Sequence, residues 1–228
     1  MEQGFFRNYK KLVLPVFFLL IGLLAYTLVE PHRLEVKEVD VVDMDIPTEF
    51  NGFTIAFMTD IHHGPFFSDK RVRALVKRVN ELNPDIILLG GDYIHRDAKF
   101  IEPCFAELAF LKADYGKFGV LGNHDHWEDG GRVKECMKNA EITPLDNQAE
   151  WIHKNNERIK IGGVGDMWTD TQDIAPTIND VSVEDFVILL SHNPDYAETI
   201  TTDKIDLVLS GHTHGGQVTF FGLWAPLI

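Results

Sequence analysis

Five short apolar runs, each breaking off into Asp, His or Asn, constrain this chain more than any other feature of it. TIAFM (Thr54 to Met58) leads into Thr59, Asp60, Ile61 and His62, and DIILL (Asp85 to Leu89) into Gly90, Gly91 and Asp92. KFGVL (Lys117 to Leu121) leads into Gly122, Asn123, His124 and Asp125, FVILL (Phe186 to Leu190) into Ser191, His192 and Asn193, and DLVLS (Asp206 to Ser210) into Gly211, His212, Thr213 and His214. Their length and β-branched or aromatic content predict buried strands. A helix is predicted between the first two, capped by Ser68, with Val72, Leu75, Val76, Val79 and Leu82 on one face and Asn83-Pro84 as its stop. Shorter helices are predicted over Pro103 to Leu111 and Arg132 to Lys138, and extra strands between Glu141 and Gly163. The fold class is therefore α/β, with two packed mixed β-sheets flanked by helices.

At 228 residues, 45% of them apolar, the chain is long enough for one globular domain with a substantial core. A formal net charge of −14 argues against a nucleic-acid partner, because phosphate backbones are held mainly by Lys and Arg. A phosphate-bearing ligand needs positive charge from elsewhere. Cys104 and Cys136 leave room for a single bridge and exclude a disulfide scaffold or a Cys-based zinc site.

The amino terminus reads as a separate unit. From Leu12 to Val29 the run LVLPVFFLLIGLLAYTLV carries no charge, predicting a single-pass transmembrane anchor over 12–29. Arg7, Lys10 and Lys11 precede it, which places residues 1–11 in the cytoplasm and residues 30–228 outside it, with the domain held at the cell membrane. A cleaved signal peptide is the competing reading.

Ligands of α/β sheets bind beyond the carboxyl ends of the strands. A lone His-x-His is often two polar loop residues, but five strand ends sharing one chemistry are hard to assign to chance. Asp60, His62, Asp92, Asn123, His192, His212 and His214 offer nitrogen and oxygen without sulfur, which suits Mn, Fe or Zn. Seven candidates are too many for one ion; they fit two, about 3.5 to 4 Å apart, with one carboxylate bridging. Ser191 and Ser210 lack the setting of an activated serine nucleophile.

The ordered series DIHHG, GGDYIH, GNHDH, SHNPD and GHTHGGQ, spanning Asp60 to Gln217, resembles the calcineurin-like metallophosphoesterase family and, with the amino-terminal apolar run, its membrane-associated bacterial branch. The resemblance implies that Asp60, His62 and His214 hold one divalent metal, that Asn123, His192 and His212 hold the other, and that Asp92 bridges them. It further implies that His124 contacts the scissile phosphate or protonates the leaving oxygen, with Asp125 as its orienting partner. The implied reaction is hydrolysis of a phosphate mono- or diester, lipid-linked substrates included. Two alternatives stand beside it: a pyrophosphatase of a nucleotide-linked lipid such as UDP-2,3-diacylglucosamine, and a metal-binding scaffold without turnover. His63, His95 and His126, next to these motif residues, are expected to be loop residues or to support the ligands rather than to be ligands themselves. Pro65, Phe66, Phe67, Trp127, Trp168, Phe220 and Phe221 are candidates for a substrate groove. The end at LWAPLI, 14 residues beyond His214, reads as a fragment or as a domain lacking the family's closing strands.

Overall fold

The computed structural model describes residues 2–29 and 33–216, with the side chains of the first helix described over 13–27. Gln217, the Phe220-Phe221 pair and the LWAPLI segment lie outside the described residues. The chain divides after Val41 into two units.

The first unit contains α1 (Glu2–Val29), a helix with Pro15 inside it. Among the described residues, no helix is long and apolar enough to cross a membrane. This overturns the expected single-pass placement at the cell membrane with an extracytoplasmic domain.

The second unit carries eight strands among the described residues. β1 (Ile55–Met58), β2 (Ile86–Leu89), β3 (Lys117–Gly119) and β4 (Thr143–Pro144) form one sheet in that order. All its described pairings are parallel, so this sheet is not mixed as expected. Its strands are joined through α2 (Asp69–Glu81), α3 (Ile101–Leu108) and α4 (Asn123–Asn139), and helical crossovers return the chain in the same direction. The second sheet has the order β5 (Gln148–Lys154), β6 (Glu157–Gly163), β7 (Val187–Leu190) and β8 (Leu207–Leu209), with a short α5 (Ala175–Ile178) before β7. It is mixed: the β5–β6 hairpin is antiparallel, and β6, β7 and β8 run parallel.

Period-two alternation separates two cores. Ile87 and Leu89 join the helix-side core with Val72, Val76 and Val79 of α2, while Ile86 and Leu88 face the other way and meet Ile159, Ile161, Ile188 and Leu190 of the second sheet. β2 is therefore buried on both faces, which is why it reads as an unbroken apolar run. Ser68 occupies the N-cap position of α2, but its side chain makes no cap bond; its carbonyl instead accepts from the N–H groups of Arg71 and Val72. Cys104 and Cys136 are both free thiols.

α4 starts earlier than predicted. Its first turn is the GNHDH segment itself, and a non-helical Asp129 (φ −173°, ψ 83°) separates that turn from the predicted stretch. The Asp129 carboxylate accepts from the N–H of Arg132, restarting the helix there.

Candidate metal centre

The parallel register of β1, β2 and β3 in one sheet and of β7 and β8 in the other delivers all five polar loops to the carboxyl ends of their strands. Two bonds join the sheets at that end. The Asp60 carboxylate accepts from the N–H of His212 at 3.1 and 3.0 Å, and the Gly90 carbonyl lies 2.8 Å from His192 Nδ1.

Five of the seven candidate ligands sit in the left-handed region. Asp60, His62, Asp92, His212 and His214 have φ values of 54°, 47°, 54°, 69° and 51°. A non-glycine residue there costs on the order of 1 kcal/mol or more, and such strain clusters where function fixes side-chain direction. Gly91, at φ 96°, lets the β2 loop pass beside α4: a Cβ there would stand 2.5 Å from the amide nitrogen of Gly122.

Two sets of side chains meet at Asp92, and a third, His62 with His95 and His124, shares His62 with the first. Asp60, His62 and His214 present ligand atoms within 4.8 Å of one another, and so do Asp92, His192 and His212. Asp92 Oδ2 lies 3.5 Å from His62 Nε2 in the first set and 3.3 Å from His192 Nε2 in the second. The imidazoles of His62 and His214 stack with centroids 4.8 Å apart and bring their Nε2 atoms to 3.1 Å. Asn123, almost fully buried, has an Oδ1 without a hydrogen-bond partner, as do His192 at Nε2 and His62 at Nδ1. Buried polar atoms are rarely left bare, and together with the two sets that share Asp92 these nitrogen and oxygen donors fit two divalent ions.

Charge supports the same arrangement. Burial lowers His62 to about 4, so its imidazole is neutral and has a lone pair free at ordinary pH. Burial works to raise Asp92, but His192 and His62 beside it hold its carboxyl below the usual range. Burial also disfavours a charged His192, yet contact with Asp92 outweighs it and lifts that imidazole to about 9.

His124 and Asp125 lie where α4 begins. The His124 ring stands 4.8 Å from that of His62, edge to face, and its backbone N–H donates to Asp92 Oδ1 at 2.9 Å. Asp125 does not bond to the His124 imidazole. Fully buried, its carboxylate accepts from the backbone N–H groups of Asp92, Tyr93 and Gly122 at 2.8 to 2.9 Å. Asp125 thus ties the β2 loop to the start of α4 and aims both Asp92 and Asn123.

Three further residues stand at this centre. His95, expected as a loop or ligand-supporting residue, has its ring 5.2 Å from His62 and 5.0 Å from His124, with a buried Nδ1 that lacks a partner. Thr59 donates its hydroxyl to Asp60 Oδ2 at 2.8 Å. Gly211 leaves space for that pair, since a Cβ would stand 2.0 Å from Thr59 Oγ1. His95 lies inside the quoted GGDYIH; nothing in the sequence marks the other two. His63 does support a loop, contacting the Phe100 carbonyl and Asp69 through its two ring nitrogens. His126 lies apart, grouped with Asp146 and Asp170. Phe67 packs on the helix-side core, while Trp127 and Trp168 stand against site histidines.

Comparison with known proteins agrees with this geometry. The chain is 33% identical over 199 residues to the Bacillus subtilis metallophosphoesterase YkuE, covering 85% of this chain and 70% of that protein. It is 35% identical over 170 residues to the Escherichia coli phosphodiesterase YaeI, covering 73% of this chain and 62% of that one, so it spans less than two thirds of the latter's length. Among solved structures, the NAD nucleotidase of Haemophilus influenzae superposes on 71% of this chain and 38% of its own, with a TM-score of 0.51 at 18% identity, a likeness of fold. The profile described as calcineurin-like phosphoesterase matches residues 53–216, a span holding all seven candidate ligands and both parallel strand sets. The chain belongs to the calcineurin-like phosphoesterase family.

Proposed function

We propose that the chain is a dinuclear phosphoesterase in which Asp60, His62 and His214 hold one divalent ion of Mn, Fe or Zn, Asn123, His192 and His212 hold the other, and Asp92 holds both. The observation that carries this reading is the pair of ligand sets that meet at Asp92, whose Oδ2 lies 3.5 Å from His62 Nε2 and 3.3 Å from His192 Nε2. Two divalent ions held by these residues would supply positive charge to the phosphoryl oxygens and would acidify a water for attack on phosphorus. His124 gives its proton to the leaving oxygen, and Asp125 is a positioning residue that sets the backbone from which Asp92 and Asn123 project. The activity resides in the domain expected over residues 30–228. The substrate class is a phosphate mono- or diester, and the phosphodiesterase YaeI, the relative at 35% identity, favours the diester.

The test is metal analysis joined to turnover. Purified protein should carry close to two ions of Mn, Fe or Zn, and thorough chelation should abolish hydrolysis of an aryl phosphate ester. Asp92→Asn should lower both occupancies together. A single ion in an active sample, or activity surviving chelation, contradicts the proposal.

A further inference from the structure

Two large indoles are left in solvent beside the metal centre. Trp127, in the first turn of α4, is 58% exposed, and Trp168, in the loop after β6, is 61% exposed. Each meets a different half of the cluster, edge to face. The Trp127 ring lies 4.7 Å from His124, and the Trp168 ring lies 4.4 Å from His212. The exposed Phe66 and Phe110 show no such contact with a site imidazole among the described residues. The Trp168 loop is also fixed. Buried Asp166 accepts from the N–H groups of Trp168 and Thr169 at 3.0 Å each, and from the Thr169 hydroxyl at 2.7 Å. Two exposed indoles set against imidazoles of one polar centre give it the apolar and aromatic lining that ligand sites carry.

We infer that these indoles form two walls for the two organic arms of a phosphodiester that bears flat, ring-containing groups. The inference rests on the hydrolytic reading only for which arm is which. In-line displacement places the leaving oxygen on the side of its proton donor, so the leaving arm lies along Trp127 beside His124. The arm that stays on phosphorus lies along Trp168 beside His212. A monoester has no second arm and leaves Trp168 idle. Stacking also supplies grip to a chain whose net charge of −14 opposes an anionic ligand.

The experiment measures binding and turnover separately on the metal-loaded full chain. Wild type should bind diphenyl phosphate, a poorly reactive diester, at least roughly 10-fold more tightly than dimethyl phosphate. Trp127→Ala and Trp168→Ala should each weaken diphenyl phosphate by roughly 5- to 30-fold and move dimethyl phosphate far less, with Trp→Phe at either position restoring most of the loss. In turnover, Trp168→Ala should raise KM for bis(4-nitrophenyl) phosphate well above its effect on methyl 4-nitrophenyl phosphate, whereas Trp127→Ala should raise both. Equal affinity of wild type for the two unreactive diesters overturns the inference, and so do Ala variants that shift both ligands alike. A reversed KM pattern overturns the assignment of arms. Loss of all turnover with the diphenyl preference intact instead removes the hydrolytic reading and leaves the two walls standing.

Discussion

His124 and His212 show how neighbouring imidazoles in one cluster come to do different work. His212 shares its set with the Asp92 carboxylate and His192, whereas His124 shares one with His62 and His95 that contains no carboxylate, and it binds Asp92 only through its backbone N–H. His124→Ala should therefore keep metal content near wild type and lower turnover by roughly 10² to 10⁴, the range usual for a positioned acid. An ester of an acidic phenol needs little protonation and should suffer less than an alkyl ester. His212→Ala should lose an ion along with rate. Metal analysis with rates for both esters decides it: loss of an ion from His124→Ala, or equal slowing of both esters, removes the acid role. Asp125 belongs at the same scale. Its carboxylate accepts from four buried backbone N–H groups, those of Asp92, Tyr93, Gly122 and, at 3.4 Å, Ile94, and burial together with the nearby Asp92 charge pushes its carboxyl upward. Asp125→Ala leaves those donors bare, which should cost about 3 kcal/mol or more and lower the melting temperature by roughly 6 to 12 °C. A calorimetric scan in chelator reads this apart from any metal effect.

At the scale of elements, two glycines separate support of the fold from support of the site. A Cβ at Gly211 would stand 2.0 Å from Thr59 Oγ1 and 2.5 Å from Asp60 Oδ2, pushing apart the pair that joins β8 to β1. A Cβ at Gly162 in β6 would stand 2.0 Å from Thr177 Oγ1, far along the chain from any ligand. Both changes overpack and should destabilise by about 1 to 3 kcal/mol, but only Gly211→Ala should lower metal occupancy. Equal occupancy in the two variants refutes that separation. The elements also show what was legible beforehand. The core strands of both sheets were readable because Ile86 to Leu89 and Val187 to Leu190 are buried on every side and need no polar alternation. The parallel direction of the whole first sheet was not, since one apolar run looks the same whichever way its neighbour points. The first turn of α4 hid inside GNHDH, whose residues have poor helix propensity and are held helical by Asp125 accepting from Gly122. Asp60, His62, Asp92, Asn123, His192, His212 and His214 could be named as candidates from their places after strands, whereas the backbone role of Asp125 and the contacts of His95, Trp127 and Trp168 depend on distances no spacing encodes.

For the whole molecule, an acidic chain has gathered imidazoles and carboxylates at one end of two sheets, and protons and metals should compete for that place. In the metal-free fold Asp92 holds His192 protonated, with its pKa raised from 6.5 to about 9, while burial keeps His62 neutral by lowering it to about 4. The sign for His192 follows from its raised value: its stabilising contact is fully present below about 6.5 and is lost as pH rises through about 9. A metal at that position takes the lone pair the proton occupies, so loading at pH 7 should release close to one proton from the His192–Asp92 pair, and affinity should rise with pH up to about 9. Titration calorimetry of the metal in buffers of different ionisation enthalpy gives the proton count as a slope. His192→Ala should flatten that slope as well as weaken one ion. Metal binding also stabilises the fold by mass action, about 2.7 kcal/mol at a hundredfold excess over Kd, or roughly 5 to 11 °C for a domain of this size. That gain should shrink between pH 8 and pH 6 as the proton regains its place. A thermal shift on metal addition that is the same at both pH values would show that His192 is not among the ligands, and the second set of donors would then have to be drawn without it.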